Sequence, residues 1–206
     1  MTNYEYFEWC FRQVVNIEGG LSKDPGDLGN KDGNFTYMGL SSRYNPEIKG
    51  IIKLPKDKRL KEIRRIYYTK YWQKVAVPII SLVSPLKNRE ENNILKHLAF
   101  IMFDAAVQYA PDDANRMLQE AINRIMWEEA KYANISVKLL KVDGVIGNKT
   151  TLSLLIFLKY GVIDSYLYLR ALKYMKLIGK NKEQAKFAKG WANRLFKIDN
   201  LYGETE

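Results

Sequence analysis

Residues 92–109 constrain the fold most. Ile94, Leu95, Leu98, Ile101, Met102, Ala105 and Ala106 recur through this stretch and leave little polar face. A helix that is apolar nearly all round must be covered by other elements. The spacing therefore predicts a central helix with further helices packed against it. No stretch of the chain approaches the roughly 18 to 20 uncharged apolar residues that a membrane span needs, so membrane insertion is not expected.

The same periodicity places the remaining helices. Phe7, Phe11, Val14 and Val15 form one apolar stripe over 4–18, ended by Gly19-Gly20 because glycine readily takes the left-handed conformation just past a helix end. A basic amphipathic helix is predicted at about 57–73, with Leu60, Ile63, Tyr67 and Tyr71 facing inward. Pro111 with Asp112 and Asp113 opens a helix to about 133, since proline suits the first turn and acids suit its positive end. Asn148 is the expected N-cap of a helix over 149–160, and helices at about 163–178 and 182–197 close the chain. Between the first two helices, Leu21–Asn34 is rich in turn residues, and Phe35–Leu40 reads as a short strand or hairpin edge. The expected class is all-α with a small β element. With 206 residues and 47% apolar composition the chain can bury a real core. We expect two helical lobes, 1–90 and 91–206, packed as one compact unit.

Charge and rare residues narrow the chemistry. The 33 Lys and Arg against 23 Asp and Glu give a net charge of +10, which favours polyanionic partners in general. The basic residues of Lys49–Lys74 and Arg170–Lys197 alternate with apolar ones, as on the solvated faces of amphipathic helices, so charge alone selects no partner. Cys10 is the single cysteine and falls on the apolar stripe, where a buried structural thiol is expected. His97 is the single histidine, which disfavours Ser-His-Asp chemistry and histidine metal sites. An Asp- and Asn-rich loop invites a calcium reading, but aligning Gly33 at the sixth EF-hand position puts Leu28 first and Gly39 twelfth, and the ligand pattern fails. No cofactor or metal is expected. The N-terminus lacks a basic region followed by an apolar one. Synthesis in the cytoplasm is expected, with action elsewhere only after release by a holin, a secretion system or lysis.

One residue breaks the apolar pattern. Glu18 lies three and four positions after Val15 and Val14 and seven after Phe11, on the buried stripe. Desolvation there, and more weakly the negative end of the helix dipole, favour its protonated form, as a general acid requires. A frayed-end glutamate turned to solvent fits the periodicity equally well. The loop beyond adds Asp24 and Asp27, then Thr36. A glycosidase needs a second group to activate water or to stabilise charge at the anomeric carbon, although Asp-Pro-Gly-Asp is also good turn chemistry.

Glu18-Gly19-Gly20, Asp24-Pro25, Asp27, Gly29, Thr36 and Gly39-Leu40 together resemble the opening motif of glycoside hydrolase family 108, which includes phage endolysins and bacterial secretion activators. The resemblance continues through Tyr71-Trp72, Phe103–Val107, Leu118-Gln119, Asp143–Gly147 with Thr150, and Gly190-Trp191 with Asn193-Arg194. It spans nearly the whole chain in one order, and its second half is similar to the predicted peptidoglycan-binding segment that accompanies the family. It implies a lysozyme-like fold, Glu18 as the catalytic acid, and bacterial peptidoglycan as partner. The Glu-Asp-Thr order, similar to that of phage-type muramidases, implies Asp27 and Thr36 as the groups that handle water, with Asp24 as the competing carboxylate. Tyr37 and Met38, beside that motif, are candidate sugar contacts. Gln108 and Tyr109 stand where relatives carry Asn and Gly and are candidate substrate contacts by the same comparison. Leu21 replaces an aromatic residue, and Asn30–Phe35 is an insertion between Asp27 and Thr36.

Three functions follow. The first is a muramidase-type cell-wall hydrolase, expected to act as a monomer. The second is a non-catalytic wall-binding or secretion-associated protein with the same fold. The third, a basic nucleic-acid binder, is disfavoured because no DNA- or RNA-binding signature appears.

Overall fold

The computed structural model describes residues 2–24, 26, 28–84 and 88–201. Contacts divide the chain into two compact units, Met1–Lys74 and Val75–Glu206. The fold is all-α and lysozyme-like with one small sheet. Among the described residues no helix is long and apolar enough to cross a membrane.

The first unit opens with α1 (Asn3–Glu18). Thr2 caps it reciprocally: its hydroxyl accepts from the Glu5 amide at 3.2 Å and its own amide donates to the Glu5 carboxylate at 2.6 Å, satisfying two orphan donors. The helix buries Tyr6, Phe7, Cys10, Phe11 and Val14, the expected stripe with the thiol inside it. Three two-residue antiparallel strands follow: β1 (Leu21–Ser22), β2 (Thr36–Tyr37) and β3 (Leu40–Ser41), paired in that order. Tyr37 pairs with Leu40, so the β2–β3 hairpin turns on Met38 and Gly39 alone. Both have left-handed backbones, at φ 48° and 79°. Two-residue hairpins need this to match the twist of their strands.

After α2 (Ile48–Ile51), the basic segment is not one regular helix. α3 (Lys56–Ile66) gives way to a π-helical turn over Tyr67–Trp72, then to α4 (Gln73–Val75). Ile63, Tyr67, Trp72 and Ala76 are all buried, a spacing of four, five and four that an unbroken α-helix cannot keep on one face. The extra residue of the π turn absorbs the five-residue step. Leu60, expected to face inward, is 37% exposed: it lies in the first half of α3, and the buried positions of that helix begin only at Ile63. The aromatic floor so formed locks onto α1: Tyr68 meets Phe7 edge-on at 4.9 Å, Tyr67 meets Phe11 at 5.3 Å, and the Trp72 indole donates to Asn3.

The second unit is built on the apolar stretch. After α5 (Val77–Ile80), Asn88 caps α6 (Arg89–Gln108) by accepting from the Glu91 amide. Every residue from His97 to Ala106 is buried, which bears out the central helix. His97 has no exposed surface, and burial pushes its pKa down to about 4. The remaining helices are α7 (Pro111–Tyr132), α8 (Asn148–Ile156), α9 (Val162–Lys180) and α10 (Ala188–Asn200). A 3-10 stretch, Lys182–Phe187, precedes α10 where one continuous helix was expected. Gly147, not Asn148, holds the N-cap position of α8, without a side-chain bond. The preceding loop is held instead by Gln119, fully inside α7, whose amide bonds Asp143, the Val145 carbonyl and the Gly144 amide.

One charged cluster ties α6, α9 and α10 together. The Asp104 carboxylate accepts from Arg170 and from Arg194, each at 2.7 Å, with Asp104 and Arg170 fully buried. Burial pushes the Asp104 carboxyl up, but the guanidinium groups of Arg194 and Arg170 outweigh it and hold the carboxyl below its usual range. The folded state therefore binds this proton less readily than the unfolded chain. The contribution is fully present above about pH 4 and is lost as pH falls through the depressed folded value. Removing one partner of a buried ion pair costs about 3 to 5 kcal/mol, because the other charges stay buried. Urea unfolding of Asp104→Ala at neutral pH should show a loss of this order. A loss under about 1 kcal/mol, the size of an exposed pair, would mean that the cluster is not what joins these helices.

Candidate active site

The first unit gathers the proposed chemistry around the end of α1. Glu18 is half-buried, so it is neither the sealed acid nor the solvent-directed end residue that the periodicity allowed. Its side chain lies against the hairpin turn. A Cβ placed on Gly39 would stand 2.6 Å from Glu18 Cγ, 2.8 Å from Glu18 Cδ and 2.7 Å from the Tyr67 hydroxyl. Only glycine fits there, and its positive φ independently favours glycine. The Tyr67 hydroxyl donates to the Met38 carbonyl at 2.7 Å, and the Met38 amide donates to the Gly20 carbonyl. The turn is thus fastened to the π-helical floor on one side and to the end of α1 on the other. Burial pushes the Tyr71 phenol up. The Asn45 amide bonded to it eases this, and the Glu47 and Glu18 carboxylates push the same way as burial. The Glu18 carboxylate is thereby within electrostatic reach of a second floor tyrosine.

Thr36 sits on β2, opposite Ser22 on β1 and Ser41 on β3. Its hydroxyl donates to the Asn30 Oδ1 at 2.8 Å. Asn30 is 5% exposed, and its amide nitrogen donates to the Ser22 hydroxyl and the Asp24 carbonyl. The first residue of the insertion is therefore the hub that joins the acidic loop to the sheet. Lys23, Asn30 and Lys31–Phe35 line an open cleft of about 580 Å³ beside it. Asp24 accepts from the Gly26 amide at 2.8 Å, the local bond of a turn-forming aspartate. Asp27 lies outside the described residues.

Tyr37 is held by Arg59, which donates to its hydroxyl at 3.2 Å and lies over its ring at 5.6 Å. Met38 is half-buried at the tip of the turn. Gln108 and Tyr109 belong to the second unit. The Gln108 carboxamide oxygen accepts from Arg170 at 2.8 Å and from the Tyr174 hydroxyl, beside the Asp104 cluster. The Tyr109 ring packs on Tyr174 under the Lys173 ammonium. Tyr67, Asn45 and Asn30 are not among the site residues expected from the sequence. Tyr67 carried a signal as an inward position of a basic helix, whereas Asn30 looked like part of a variable insertion.

The chain matches the family model described as Glycosyl hydrolase 108 over residues 11–109, and that of a predicted peptidoglycan domain over residues 113–196. None of the curated proteins matches it. Among solved structures it is similar to one described as the structure of Brucella abortus SagA, with a TM-score of 0.62 and 23% identity over 93% of this chain and 90% of that one. At that identity the likeness shows a shared fold. The first match supports glycoside hydrolase activity in general, and the second supports a cell-wall role with peptidoglycan as partner.

The seam between the two matched segments does not coincide with the contact boundary. The glycosyl hydrolase 108 match ends in α6, which packs against α7 and α9 of the peptidoglycan match inside one unit. Gly39→Ala tests the close packing in the first unit. A left-handed backbone costs a residue with a Cβ roughly 1 to 2 kcal/mol, and Glu18 must also move aside. The expected result is a lowered unfolding midpoint together with loss of wall lysis in a turbidity assay. Full activity with unchanged stability would mean that Glu18 is not lodged against the turn.

Proposed function

We propose that this protein is a muramidase-type hydrolase that cuts the glycan strand of bacterial peptidoglycan, with Glu18 as the general acid. The observation that carries the reading is the Glu18 side chain, drawn off the end of α1 onto the Met38–Gly39 turn, one strand residue from Thr36. In this mechanism Glu18 donates its proton to the glycosidic oxygen as the bond breaks, and positive charge develops at the anomeric carbon. Asp27 takes a proton from the attacking water. Thr36 suits the orienting role: its only hydroxyl hydrogen goes to Asn30, so it meets water as an acceptor. A water held through one of its hydrogens keeps a lone pair for attack.

A base acting through water requires the two carboxyl groups to stand about 6.5 to 9.5 Å apart, and the product then inverts. Tyr37, braced by Arg59, and Met38 border the sugar site in this reading. The other candidate contacts lie in the second unit, Gln108 with its carboxamide oxygen bonded to Arg170 and Tyr174, and Tyr109 with its ring packed on Tyr174. The chain acts as a monomer on the wall, reaching it from the cytoplasm through a holin, a secretion system or lysis.

Glu18→Gln keeps the size of the side chain and removes only the transferable proton. Lysis should fall by at least the roughly 10²- to 10⁴-fold usual for general acid catalysis, while the thermal midpoint stays close to wild type. Turnover near wild type would remove Glu18 from the acid role. A wild-type protein that binds purified walls but never releases fragments would favour the non-catalytic, wall-binding alternative.

A further inference from the structure

We infer that Tyr67 is a positioning residue for Glu18: its hydroxyl, the hairpin turn and the carboxyl arm of the acid meet at the point where Gly39 lacks a Cβ. The inference rests on the acid role proposed for Glu18.

Three observations carry it. First, Tyr67 cannot move. It is fully buried, its ring meets Phe11 edge-on at 5.3 Å and Tyr71 at a tilt at 5.8 Å, and it begins the π-helical turn. π turns inside helices recur at functional sites, and here the turn lets Tyr67 and Trp72 share one inward face. Second, the Tyr67 hydroxyl has one hydrogen, and that hydrogen fixes the Met38 carbonyl at 2.7 Å. This sets the plane of a turn whose Met38 has the unfavourable left-handed backbone of a residue with a Cβ, at φ 48°. Third, the Tyr67 oxygen and Glu18 Cδ lie 2.7 and 2.8 Å from one point, so they are no more than about 5.5 Å apart. A phenol has two side-chain torsions and a glutamate three, so the packed ring is the template and the acid arm follows it.

The consequence is catalytic geometry rather than substrate affinity. Misplacing a reacting group by about 1 Å can cost on the order of 100-fold in rate. Without the hydroxyl the ring still fills its site, but the bond from the floor to the Met38 carbonyl is gone, and the wall beside Glu18 loosens.

The test is Tyr67→Phe, assayed with soluble glycan strands released from purified walls. The kcat should fall by roughly 10- to 100-fold, with KM within about twofold of wild type and the thermal midpoint nearly unchanged. Tyr68→Phe serves as the control for general loosening of the π turn. Its ring packs on Tyr4 and Phe7 instead of facing the hairpin, and it should keep kcat. A wild-type kcat in Tyr67→Phe overturns the inference, as does an equal loss in both variants. So does a rise in KM at constant kcat, which would make Tyr67 a support for the sugar contacts. The two readings separate cleanly. An active Glu18→Gln protein removes the acid assignment itself, whereas an inactive Glu18→Gln beside a fully active Tyr67→Phe removes only the positioning role.

Discussion

The first unit turns on a missing methyl group. Gly39 lets a helix end, a hairpin and a buried aromatic floor come within van der Waals contact at one point, with Glu18 and Tyr67 filling the space a Cβ would occupy. Each element reaches that point for its own physical reason. Gly19, with a left-handed φ of 73°, stops α1 just after Glu18. The two-residue turn of the hairpin requires left-handed backbones at Met38 and Gly39. The π turn rotates the floor so that Tyr67 and Trp72 both face inward. Taking away any one of these removes the reason for Glu18 to leave solvent.

The second unit depends on a different constraint, a carboxylate sealed in the core. Asp104 would be very costly to bury alone, and two guanidinium groups from distant parts of the chain answer it. Phe103-Asp104 and Asn193-Arg194, which carried the family resemblance at opposite ends of this region, are thus partners in one structural cluster. Their pairing crosses the seam between the glycosyl hydrolase match and the peptidoglycan match. The two segments are distinct in sequence pattern, yet α6 of the first supplies much of the core on which the second is built.

Much of this was legible in the residues because it depends on local periodicity. The stripe of α1, the apolar α6 and the proline-initiated α7 follow from spacing that a helix cannot ignore. Glu18 was visible as a charge on the wrong face, and the hairpin as a run between turn residues. What escaped depended on contacts across the chain. The π turn needs a five-residue step that becomes meaningful only once Trp72 is known to be buried beside Phe7. Leu60 fits the helical pattern but is left outside by it. Asn30 looks like loop filler until its amide is seen joining Ser22, Asp24 and Thr36. Gly147 displaced Asn148 at the start of α8 because Gln119 had already fixed the loop from within the core.

In the proposed mechanism a protonated carboxyl and an oriented water together cut the glycan strand. Mass spectrometry of fragments from purified peptidoglycan digested by the wild-type protein tests that claim directly. The predicted products are glycan pieces that end in a muramic acid carrying the added water, with their stem peptides intact. Fragments ending in an anhydro-sugar would show that no water attacks. Fragments with glucosamine at the reducing end, or cleavage confined to the peptides, would contradict the muramidase reading.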